Sequence, residues 1–173
     1  LPDTFINTLL YWKLMIKLLE KGLVDIIKES KTSPRKRSAL GLHPPDCNGP
    51  RVLALALQPD TYVAPHRHKL ETAETFIYRS GELYLVLFDE KGNIKEVNRL
   101  KGGNAVVAEV PPKTFHTLIS CTPDSTVYEI SQGPYNKDND KEFAFWAPKE
   151  DEKEKVSIYL SKLKKEIESF RKD

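Results

Sequence analysis

Two histidines separated by one residue, His66 and His68 in the run Pro65-His66-Arg67-His68, precede Glu74 by an interval of five residues after His68, and His116 follows 42 residues after Glu74. On an extended strand, residues two apart point to the same face, so one short segment can aim both imidazoles into one cavity. Glu74 can follow from the next strand, and His116 can add a donor from a distant one. Three imidazoles and a carboxylate suit a first-row divalent transition metal (Fe, Mn, Zn or Ni), with coordination positions left over for water or substrate. Such an ion can polarise a carbonyl or hydroxyl, lower the pKa of bound water, or bind oxygen if it is Fe(II). The donor set alone does not choose among these.

Donors so far apart in sequence need a framework that folds back on itself. From residue 51 onward the pattern has period two and is rich in β-branched and aromatic residues: RVLALALQ, TYVAPH, TFIYR, ELYLVLFD, NIKEVN, AVVAEV, FHTLISC and STVYEIS make eight strand candidates. Turn signals separate them, among them Ser80-Gly81, Gly92-Asn93, Gly102-Gly103 and Pro123-Asp124. Short strands with no helix between them imply an antiparallel sheet that is closed or sandwiched, and a jelly roll provides the single interior where the four donors can meet.

Helical periodicity flanks this all-β core. Residues 5–30 read FINTLLYWKLMIKLLEKGLVDIIKES, with Lys13, Lys17 and Lys21 four apart on one face and a wide apolar surface elsewhere. Gly22 is expected to break or bend this helix. Its apolar face over residues 5–27 can cover the body or a second subunit, which favours a homodimer, or it can attach peripherally to a membrane. No run approaches the roughly 20 apolar residues of a membrane span, and nothing resembles a secretory cleavage site. At the other end, Val156, Tyr159, Leu160, Leu163, Ile167 and Phe170 form one helical stripe that predicts docking on the core. The run SPRKRS at 33–38 reads as a solvated linker in preference to a phosphate grip. Residues 132–151, QGPYNKDNDKEFAFWAPKED, read as an ordered loop packed on the body.

Charge follows the same division into an N-terminal arm and linker (1–40), a β-barrel domain (41–148) and a C-terminal helix (149–173). Residues 1–40 carry 8 basic and 4 acidic side chains, residues 41–148 carry 11 and 14, and residues 149–173 carry 8 and 7. The net +2 gives no global reason to expect nucleic acid as a partner. A chain of 173 residues, 39% apolar and 30% charged, suffices for one core with appended helices. Cys47 and Cys121 make no disulfide framework; they are expected to be packing thiols of a protein in a reducing compartment, the cytoplasm.

Pro65–His68, then Glu74 and Gly81 with six residues between them, then Pro111 and His116 with four between, resemble the two motifs of the cupin superfamily. SPRKR, the LHPPD that holds His43, the PHRH block and GPYNKDNDKEFAFWAP together resemble the WbuC-type cupin-fold metalloproteins across about residues 24–148. The resemblance implies a cupin jelly-roll barrel with metal ligands at His66, His68, Glu74 and His116. It marks His43 as a candidate pocket residue and associates the chain with bacterial O-antigen and surface-polysaccharide metabolism. A metal-dependent isomerase or epimerase acting on a sugar-like or nucleotide-sugar molecule is then expected; a non-catalytic metal-bearing binding protein and an Fe(II) dioxygenase remain open. Two positions depart from the family pattern. The interval from His68 to Glu74 is longer than usual, leaving Glu71 as a competitor, and Lys113 stands where a glycine is usual. Lys113 therefore either brings an ammonium to the pocket or is an exposed turn residue.

Overall fold

The computed structural model describes residues 20–43, 48–68, 71, 73–103, 106–134 and 141–170. The start of the apolar arm, through residue 19, and Cys47 lie outside them. Among these residues ten strands and two helices follow one another: α1 (residues 20–32), β1 (Arg37–Gly41), β2 (Pro50–Leu57), β3 (His66–His68), β4 (Glu74–Ser80), β5 (Glu82–Phe88), β6 (Ile94–Lys101), β7 (Val107–Val110), β8 (Phe115–Ser120), β9 (Ser125–Gln132), β10 (Lys141–Phe143) and α2 (Lys153–Ser169). The first sheet has the order β1-β2-β9-β4-β7 and the second β10-β3-β8-β5-β6, with every pairing antiparallel.

The two sheets face each other over a core that includes Leu57, Phe76, Leu83, Leu85, Leu87 and Leu118. Each outer face also has a cover. Tyr84, Val86, Phe88, Phe115 and Ile119 on the outside of the second sheet pack against Leu160, Leu163 and Ile167 of α2. On the outside of the first sheet, Ala54 and Ala56 meet Leu23 and Ile26 of α1. The layers therefore run helix, sheet, sheet, helix. Double coverage explains why Leu83 to Phe88 and all of β8 are buried without a break, where a half-exposed strand would alternate.

Several sequence expectations change here. Gly22 does not interrupt α1: the residues around it are helical, and a Cβ there would come within 2.6 Å of Leu40 Cδ2. Its missing side chain lets the helix lie close on β1, a packing use of glycine in place of a breaking one. The basic run is only in part a linker: residues 33–36 turn the chain from α1 to β1, whereas Arg37 and Ser38 open β1 and pair with Leu57 and Ala56. Part of the supposed C-terminal loop forms β10 against β3. Cys121 is exposed and in no disulfide, so it is not a packing thiol. No helix among the described residues is long and apolar enough to cross a membrane.

At the turn between β4 and β5, Gly81 has φ +86°, and a side chain there would run into the Ser125 backbone at 2.7 Å. Only glycine fits both the left-handed backbone and the space. This turn sends the chain from the first sheet straight into the second.

Candidate metal centre

Register places the candidate donors. In an antiparallel pair, directly opposed residues point to the same side, and His66 is opposite His116. His68 shares that face by its two-residue offset, so β3 and β8 of the second sheet deliver three imidazoles into the interior. Glu74, the first residue of β4, approaches from the first sheet. One ring nitrogen from each of His66, His68 and His116 lies within 4.8 Å of the others. Glu74 Oε2 is 2.8 Å from His116 Nε2, and Glu74 Oε1 is 3.2 Å from His68 Nε2.

The backbone decides which nitrogens can serve as ligands. Nδ1 of His66 lies 2.9 Å from the Ala64 carbonyl, and Nδ1 of His116 lies 3.0 Å from that of Thr114. A carbonyl can only accept, so Nδ1 holds a proton on each ring, and Nε2 is the nitrogen left to face a cation. Both Glu74 oxygens and His116 Nε2 are buried, yet none makes a hydrogen bond of sound geometry despite the short approaches. Converging buried lone pairs without a donor are costly, unless a cation lies among them. The donor set and these orphaned atoms fit a divalent transition metal.

Protonation supports the same use. Burial, with Lys141 nearby, pushes His66 well below the ordinary imidazole range and keeps it neutral. Burial opposes ionisation of Glu74, but contact with His116 and His68 outweighs it and holds the carboxyl well below its usual value.

His66, Glu74 and His116 line a cavity of about 290 Å³ whose walls include Leu53, Leu55, Phe76, Leu118 and Phe143. Five further charged side chains enter it that motif spacing did not find. Glu129 on β9 is opposite Phe76, and its carboxyl is pushed up to about 8 by burial and by the neighbouring Glu74 charge. A sequence signal existed: Glu129 has the parity of the core residue Val127, which puts a carboxylate on the inward face of its strand. Lys141, opposite His68 across β10 and β3, also lines the cavity, as do Arg35, Arg37 and Glu150.

Because the folded-state carboxyl of Glu129 lies above the unfolded value, its stabilising share is complete below about pH 4.5 and is lost as pH rises toward about 8. Glu129→Gln should therefore flatten the stability of metal-free protein across that interval in urea melts. An unchanged pH slope would contradict this account.

His43 and Lys113 lie outside the cavity lining. His43 Nδ1 faces the backbone of Val52, its carbonyl at 2.9 Å and its N–H at 3.1 Å. Lys113 takes the turn that glycine usually takes, with φ +57°, and pairs with Glu71 on the surface. The competitor carboxylate Glu71 is thus directed outward, whereas Glu74 enters the site. Arg67 points away from its histidine neighbours, as strand parity requires, onto Glu142, Glu90 and the Phe115 ring. Relief of the left-handed backbone should make Lys113→Gly more stable by about 0.5–1 kcal/mol. A denaturation midpoint equal to or below that of the parent would contradict this.

Comparison with known proteins follows from this geometry. Residues 18–100 match a family described as a domain of unknown function, DUF6016. No curated protein matches the chain by sequence. Salicylate 1,2-dioxygenase from Pseudoaminobacter salicylatoxidans, solved as a variant in complex with gentisate, superposes with a TM-score of 0.51 at 16% identity, over 65% of this chain and 32% of that one. An RmlC-like cupin protein from Desulfovibrio desulfuricans gives 0.45 at 17% identity, over 57% of this chain and 84% of that one. The fold is a cupin jelly roll. Oxalate decarboxylase from Bacillus subtilis gives 0.48 at 16% identity, over 62% of this chain and 27% of that one. At these identities the likeness concerns the fold of a cupin and leaves the chemistry to the site.

Proposed function

We propose that this cupin is a metal-dependent enzyme acting on a small molecule, with His66, His68, Glu74 and His116 as the ligands of one divalent transition metal. One observation carries the reading: ring nitrogens of three histidines on one sheet and a carboxylate from the other converge, with both Glu74 oxygens buried and without a hydrogen bond of sound geometry. When bound, the metal would supply Lewis acidity, polarising an oxygen of the substrate or of water. The protein's own part is to hold the His66 and His116 imidazoles by their Nδ1 protons, to exclude bulk water with the leucine and phenylalanine walls, and to keep Glu129 available as a proton carrier beside Glu74.

A cavity of about 290 Å³ is at the small end of ligand sites, which run roughly 300–1,000 Å³. It matches a sugar-sized molecule, and the nucleotide part of a nucleotide-sugar would have to extend beyond the mouth. Isomerisation or epimerisation of such a molecule in surface-polysaccharide metabolism rests on the family resemblance of the sequence blocks, a cytoplasmic location on the two cysteines, and a homodimer on the apolar face over residues 5–27. Metal analysis of protein purified without added metal tests the central claim. About one equivalent of Fe, Mn, Zn or Ni is expected; protein that neither retains nor takes up a metal would sink it. Iron with substrate-dependent oxygen consumption would instead favour dioxygenase chemistry.

A further inference from the structure

The cavity that begins at the imidazoles ends at a second polar group made by Arg35, Arg37 and Glu150. Arg35 donates from Nε and Nη2 to the two oxygens of Glu150 at 2.9 and 3.0 Å, the two-pronged match of a guanidinium to a carboxylate. Arg37 donates to the same carboxylate from Nη2. Its other nitrogen, Nη1, donates to the Tyr62 carbonyl at 2.6 Å, which fixes the guanidinium at the end of the cavity. These two arginines belong to the basic run that the sequence alone presents as a linker.

Charge and space both point to an exchangeable carboxylate. Apart from the metal-ligand candidate Glu74, the cavity is lined by three cations, Arg35, Arg37 and Lys141, against two carboxylates, Glu129 and Glu150. Lys141 has no ion pair among the described residues. Glu150 comes from the loop ahead of α2, and among the described residues its side chain hydrogen-bonds only to the two arginines. Hollows of about 530 and 460 Å³ adjoin the cluster, both lined by Arg35 and Glu150, so the Glu150 side chain has room to turn aside.

We propose that the small molecule taken by this cavity carries a carboxylate, which replaces Glu150 on Arg35 and Arg37. Glu150 is then a built-in stand-in that fills the carboxylate subsite between ligands. This inference rests on reading the cavity as a small-molecule site, and it names the chemical class of that molecule.

Calorimetric titration of valerate and benzoate, each beside its neutral amide, tests it on cobalt-loaded and metal-stripped protein. The acid should bind about tenfold more tightly than the amide. Arg35→Gln should remove that preference, whereas Glu150→Gln should tighten acid binding by about threefold or more, because the internal competitor is weakened. A cluster that merely ties the C-terminal loop to β1 would lower the melting temperature in both variants and leave the acid-to-amide ratio alone. Equal affinity of acid and amide, no binding of either, or weaker acid binding in Glu150→Gln overturns the proposal. So does acid binding that shifts the cobalt absorption spectrum and ignores both substitutions, since the carboxylate would then sit on the metal. Failure to take up cobalt, with the arginine-dependent preference intact in stripped protein, would defeat the metal reading and leave the carboxylate subsite standing.

Discussion

His116→Ala is expected to weaken divalent metal binding by at least about a hundredfold while leaving the far-ultraviolet circular dichroism of the protein unchanged. Loss of a partner that merely orients a ligand costs 10–100-fold in metal affinity, so loss of a ligand should cost no less. His116 holds its position through the Thr114 carbonyl and faces both His66 and Glu74, which leaves three donors in the variant. Competition against a coloured chelator measures the effect. Glu74→Gln should act in the same direction, because it removes the charge that offsets the cation in a buried site. Lys113→Ala and His43→Ala should stay within about twofold of the parent, since neither residue lines the cavity. If His116→Ala bound metal as tightly as the parent, the ligand assignment would be lost.

Leu163→Ala should destabilise the protein by about 3 kcal/mol, within the 2–5 kcal/mol span of buried leucine truncations. Leu163 is only 3% exposed, in the cluster where α2 covers the outer face of the second sheet. That face consists of Tyr84, Val86 and Phe88 from β5 with Phe115 and Ile119 from β8, all buried only because the helix is there. Ile158, on the same helix but 66% exposed, is the control, and Ile158→Ala should change stability by no more than about 0.5 kcal/mol. Equal midpoints in guanidinium for the two variants would show that α2 does not contribute to the cooperative unit. Residues of β8 alternate between the two tasks: Phe115 faces the helix and His116 the cavity. Loosening α2 therefore acts on the strand that holds a candidate ligand.

The convergence of the four candidate donors is legible in the sequence because their spacing is local to single strands or bounded by turn residues. His66 and His68 need only an extended backbone to share a face, and Glu74 is tied to the turn at Gly81. The choice of Glu74 over Glu71 could be made from the Gly81 spacing, and the structure separates the two carboxylates by pairing Glu71 with Lys113 at the surface. What could not be read depends on long-range pairing. β1 and β10 are short and polar, and each becomes a strand only by joining a neighbour, β2 for one and β3 for the other. Arg37 and Lys141 reach the cavity through those pairings. Glu129 was accessible from strand parity but lacked a partner motif to draw attention to it. Gly22 misled because helix propensity penalises glycine, whereas close packing on Leu40 requires it.

The order of strands also sets when the candidate metal centre can come together. His66 meets His116 at a separation of 50 positions, and β2 pairs with β9, so neither sheet closes until distant parts of the chain have met. Folds dominated by such contacts form slowly, because loop-closure entropy must be overcome before the contacts can repay it. Early folding states would hold the HxH pair without Glu74 or His116. Metal capture should accordingly be a late event, and the completed sandwich, with its fixed imidazole tautomers, would select the ion after the chain has folded.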